Sequence, residues 1–72
     1  MRVTYDPKTN ALYIYFRDGA KAATTHRVND DVLVDLDADG QAIGVEVLSV
    51  QRLIDEPDLI RFEKTVSPEE ID

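Results

Sequence analysis

Four carboxylates pose the first chemical question. Asp35, Asp37 and Asp39 alternate along the chain, Gly40 follows, and Glu46 comes after five further residues. This is the D-x-D-x-D-G-x5-E spacing of a calcium loop, in which carboxylates at positions 1, 3, 5 and 12 surround a hard cation and glycine permits the sharp turn. Two features pull the other way. The flanking segments alternate at period two, whereas such a loop needs helices on both sides, and position 8 is Ala42 with the aliphatic Ile43 one place late. The same residues also suggest acid–base chemistry. Asp35 and Asp37 on one strand face would stand about 6.5–7 Å apart at Cα, twice the strand rise, a separation compatible with a hydrolytic carboxylate pair. Asp35, Asp37 and Glu46 are thus the candidates for a metal- or carboxylate-dependent hydrolase, with Asp39 as a further metal ligand. The bland reading is that alternating Asp on an exposed strand keeps a sheet soluble. A tight hairpin at Asp39-Gly40 then accounts for every residue without a metal.

Other groups carry less. His26 is the single histidine and the one side chain with an ordinary pKa near neutrality. Ser49, Ser67 and several Asp complete the inventory of a Ser/His/Asp site, but no G-x-S-x-G elbow presents a serine. Tyr5, Tyr13 and Tyr15 suit half-buried sheet positions better than a platform for stacking bases, given the acidity of the chain. With only three glycines there is no phosphate-binding loop, and Gly44 is a candidate bulge.

These side chains must be positioned by strands. Leu12, Ile14 and Phe16 alternate with Tyr13 and Tyr15; Val32, Val34 and Leu36 alternate with Leu33 and Asp35; Ile43, Val45 and Val47 alternate with Gly44 and Glu46. Turn signals at Asp6–Asn10, Asp18-Gly19, Asn29–Asp31 and Asp39-Gly40 separate the runs at intervals that suit antiparallel hairpins and leave no room for crossover helices. A two-residue turn at Asp39-Gly40 places Leu36 opposite Ile43, Val34 opposite Val45 and Val32 opposite Val47. A three-residue loop at Asn29–Asp31 places Val28 opposite Val32 and His26 opposite Val34 in a strand over Ala22–Val28. Between Phe16 and that strand, a turn at Asp18-Gly19 would set Lys21 against Phe16. A longer loop over residues 17–21 would set Ala22 there and keep the faces consistent, and is preferred. Ser49 caps a short helix through Val50, Leu53 and Ile54, which Pro57 ends. Asp58–Glu63 stays unassigned. Ser67-Pro68-Glu69-Glu70 has the form of a helix start but has no room to propagate before Asp72.

The expected fold is therefore α+β, mainly β: an antiparallel meander of four to five strands with a short C-terminal helix packed on one face. Residues 1–64 form the single domain and 65–72 a tail. At 72 residues the core is marginal. A net charge of −7 argues against nucleic acid and anionic membrane surfaces as partners. Without cysteine there is no disulfide, thiolate metal site or cysteine nucleophile. No stretch has the length and apolarity of a membrane span or a signal peptide, so the cytoplasm is the expected compartment.

The motifs also carry a resemblance. Tyr5-Asp6-Pro7, Ala11-Leu12-Tyr13-Ile14, the run from Val32 to Gly40 and Ile43-Gly44-Val45-Glu46-Val47-Leu48 together resemble the small prokaryotic domain of unknown function numbered 2283, over about residues 3–50. The resemblance implies a compact β-rich domain, with no catalytic residues to carry over and an antitoxin-like or partner-binding role. From the residues themselves, one short helix cannot cover the apolar sheet face. The expected partner is a second copy of the chain, as a homodimer, or a basic protein drawn to an acidic face of Asp31, Asp35, Asp37 and Glu46. No cofactor is expected.

Overall fold

The computed structural model describes residues 1–67. Five strands form one antiparallel sheet: β1 (Arg2–Asp6), β2 (Ala11–Tyr15), β3 (Thr24–Arg27), β4 (Val32–Leu36) and β5 (Ala42–Val47). A single helical turn, α1 (Val50–Leu53), follows. The fold class is the expected one. The order across the sheet, β1-β2-β5-β4-β3, is not that of consecutive hairpins. β2 pairs with β5, with Leu12 opposite Val47 and Ile14 opposite Val45. The Phe16 N–H donates to the Ile43 carbonyl at 2.9 Å, so neither Ala22 nor Lys21 lies opposite Phe16. The physical reason is side-chain complementarity. β5 offers valines to the leucine and isoleucine of β2, whereas β3 is Thr-Thr-His-Arg and is exposed throughout. The three consecutive strands β3–β5 and the returning β2 make a Greek key run in the reverse chain direction.

The Asn29–Asp31 loop forms as expected. Val28 N–H donates to the Val32 carbonyl at 2.9 Å and His26 lies opposite Val34. Asn29 Oδ1 closes it by accepting from the N–H groups of Asp31 and Val32.

The β4–β5 hairpin matches the expected register at its far end and departs from it near the turn. Val32 faces Val47 and Val34 faces Val45, but Leu36 faces Ala42 rather than Ile43. The turn has three residues, Ala38–Gly40, closed by Gly40 N–H to the Asp37 carbonyl and Asp37 N–H to the Gln41 carbonyl. Gly40 supplies the left-handed residue at φ 81°. The extra turn residue would shift the whole ladder by one. A bulge on β5 between the partners of Asp35 and Leu36 absorbs Ile43 and restores the pairing beyond it.

One sheet face carries Val3, Leu12, Ile14, Val32, Val34, Leu36, Val45 and Val47 by register, and the other Tyr13, Tyr15, Leu33, Asp35, Gly44 and Glu46. Among the described residues the buried apolar side chains are Leu12, Ile43 and Val50. Val50 is fully buried and anchors α1. Ser49 occupies the cap position at φ 56° but makes no side-chain cap bond. That service comes from Asn10, whose backbone carbonyl accepts from Val50 N–H at 3.1 Å and whose Oδ1 accepts from Gln51 N–H at 2.9 Å. From the other hairpin, Asp31 receives the Arg52 guanidinium at 2.5 Å. Beyond α1, Asp58–Ser67 runs without helix or strand and every residue is exposed. Of the expected tail 65–72 and its helix start at Ser67–Glu70, only residues 65–67 are among those described.

Candidate functional site

The polar face assembles around Gly44. A Cβ at that position would lie 2.6–2.8 Å from the hydroxyl and ring of Tyr13, so only glycine lets the ring lie down on β5. Laid there, the Tyr13 hydroxyl donates to Asp35 Oδ2, and Thr25 Oγ1 donates to Asp35 Oδ1 at 2.6 Å. Three strands thus meet at one carboxylate. Burial is the main cause that pushes the Tyr13 phenol up to about 12; the bond to Asp35 and that group's negative charge add to it. The Tyr15 ring lies 4.3 Å from that of Tyr13, centroid to centroid. The Arg2 guanidinium sits 3.9 Å above the Tyr15 centroid. Arg2 also makes a two-pronged bond to Asp18 at 3.0 and 3.1 Å, and this bond holds the Asp18 carboxyl below the usual range.

The expected site residues separate in this geometry. Asp35 is half-buried and bonded to Tyr13 and Thr25, not turned to solvent. Asp37 closes the hairpin turn: Oδ1 accepts from the N–H groups of Asp39 and Gln41, each at 2.9 Å, and Oδ2 from Arg17 at 2.7 Å. The Gln41 N–H, followed by Arg17, draws the Asp37 carboxyl below its ordinary value. Asp39 is exposed at the turn, and Glu46 lies across from Leu33 on the polar face. Among the described residues no three His, Cys, Asp or Glu side chains converge as a metal-holding group. No cavity opens beside the Asp35, Asp37 and Glu46 set. Asp31 is likewise engaged by Arg52, chiefly, and by Ser49, which lower its pKa. Three of the four carboxylates expected to form a free acidic face are therefore bonded within the chain. His26 sits exposed on edge strand β3, and Ser49 lies at the start of α1.

Sequence reasoning missed Asn10 as the partner of α1, Thr25 as the second donor to Asp35, and the Gly44–Tyr13 contact. Only the last left a signal, a glycine among the branched residues Ile43, Val45 and Val47 of a strand.

Fold and surface together define a small antiparallel β domain with one face closed by internal polar bonds and the other apolar and thinly covered. The chain belongs to the family described as protein of unknown function DUF2283, whose model matches residues 2–51. It is 33% identical over 63 residues to an uncharacterized protein of Methanocaldococcus jannaschii, an alignment that takes in 85% of this chain and 53% of that protein. The chain spans about half the length of the curated relative it matches. No solved structure matches it. No helix among the described residues is long and apolar enough to cross a membrane.

Proposed function

We propose that this domain is a protein-interaction module that self-associates, burying the apolar face of its sheet against a second copy. The supporting observation is area. The chain exposes 5783 Å² at 8.1 kDa, whereas a globular monomer of that mass exposes roughly 4,500 Å². The surplus of about 1,300 Å², shared between the half-buried sheet face and the exposed segment 58–67, exceeds the roughly 800 Å² that each partner buries in an interface of standard size. The radius of gyration, 14.7 Å, likewise exceeds the roughly 11 Å of a compact chain of this length. A basic partner, as an antitoxin-like role would require, has less to hold: the carboxylates of Asp31, Asp35 and Asp37 already have donors.

Sedimentation equilibrium tests this. The expected mass at micromolar concentration is twice 8.1 kDa, undiminished by added salt because the contact is apolar. Phe16→Asp, at the exposed end of the apolar face, should return the monomer with its circular dichroism unchanged. A monomeric wild-type chain, or association that dissolves in salt, refutes the reading.

A further inference from the structure

The most exposed apolar side chains after Met1 are not on the sheet. Phe62 is 80% and Ile60 62% exposed, and Leu59 and Val66 stand out from the same segment. Burial of side chains of this size is a main source of stability, and here half or more of each remains exposed. Ile60 and Phe62 alternate with Arg61 and Glu63, and no Pro or Gly interrupts residues 58–67. That is the pattern of a strand with nothing beside it.

The sheet has a matching vacancy. Among the described residues β3 pairs only with β4 and its other edge is open. Val28 sends its N–H to Val32, so by two-residue alternation Thr25 and Arg27 direct theirs outward. Within β3 no lysine, proline or register shift blunts that edge: Arg27 folds back onto the Asn29 and Asp30 carbonyls, and the alternation breaks only before the strand, where Ala23 N–H turns in to the Leu36 carbonyl. The opposite edge strand, β1, is better guarded, with Arg2 tied across Tyr15 to Asp18 and Pro7 directly after Asp6. Among the described residues no backbone hydrogen bond joins the segment to that edge within one copy.

From this we propose that residues 59–66 of one copy add as a sixth strand to the open edge of β3 in a second copy, reciprocally in a twofold dimer. The proposal rests on the self-association argued above and deepens it. Main-chain bonds to Thr25 and Arg27 would give the affinity, and Ile60 and Phe62 would extend the apolar face, as in other strand additions.

Hydrogen exchange on the full chain across a range of concentrations, paired with sedimentation, tests it. The expected result is protection of residues 59–66 and of the Thr25 and Arg27 amides that grows as the dimer forms. Ile60→Pro, which removes a ladder donor outside the folded sheet, should weaken the dimer at least tenfold and abolish that protection. Phe62→Asp should weaken it as well. A dimer in which 59–66 exchange freely overturns the strand addition and leaves the face-to-face association standing. Protection on the β1 edge instead, or protection independent of concentration, also overturns it. A chain monomeric at every concentration removes both readings.

Discussion

At the scale of single residues, Gly44 governs the polar face. Its missing Cβ is the space the Tyr13 ring occupies, and the ring's position brings the hydroxyl to Asp35. Gly44→Ala should cost about 1–3 kcal/mol, as overpacking does, and should lift Tyr13 away from Asp35. Ultraviolet titration reads the second effect directly. In the wild type one tyrosine, absent in Tyr13→Phe, should ionise near 12, and in Gly44→Ala that transition should move down. The native state holds this phenolic proton more tightly than an unfolded chain, whose tyrosine ionises at the ordinary 10.0. The stabilisation is therefore complete below pH 10 and is lost as pH rises through about 12. Of this cluster the sequence makes the strand and the glycine visible. It hides the ring's descent onto β5, because Tyr13 and Gly44 meet only once β2 and β5 are neighbours, and that neighbourhood is non-local. The carboxylate spacing was legible but ambiguous. The turn uses Asp37 as an acceptor for backbone N–H groups, a use of carboxylates that a metal loop shares, and the pattern alone does not separate them.

At the scale of elements, α1 is too short to persist by its own hydrogen bonds. Its stability comes from Val50 and from two turns that grip it, Asn10 on one hairpin and Asp31 on the other. Asn10 is doubly suited: it takes the left-handed conformation at φ 59°, and its Oδ1 serves the helix. Asn10→Ala should cost about 1–2 kcal/mol in chemical denaturation, combining a lost cap with a strained backbone. Asn10→Gly should recover the backbone share alone, and Asn10→Asp most of both, since Asp tolerates the conformation and keeps an acceptor. Local chemistry predicts a helical turn at Val50–Leu53, but Ser49 makes no cap bond and the turn ends at Ile54, short of Pro57. It says nothing of the cap, which lies about forty residues away in the chain. The β4–β5 hairpin teaches a related lesson. The Asp39-Gly40 signal located the turn, but three residues rather than two form it. The far-end register still came out as expected because the bulge at Ile43 offsets the longer turn.

At the scale of the molecule, period-two patterning was enough to establish the antiparallel sheet and its apolar face. It was not enough to order the strands. Alternation assigns faces, whereas neighbours are chosen by which apolar strands complement one another, and β3 has too little apolar surface to compete for β2. The thin core makes this chain's stability inseparable from what covers it. For a self-associating module the thermal midpoint should rise by a few degrees with each tenfold increase in protein concentration. Calorimetry over a hundredfold range would show it, and a midpoint independent of concentration would count against a dimer.

The reversed Greek key also dictates an order of assembly. β1–β2 and β3–β4–β5 each close through short loops, whereas the β2–β5 seam at the centre of the sheet joins segments far apart in the chain. Contacts of that kind form late and limit the folding rate. α1 comes directly after β5 and is held by one turn from each half. It acts as a latch across the slowest joint, so cutting the latch should hasten unfolding far more than it slows folding.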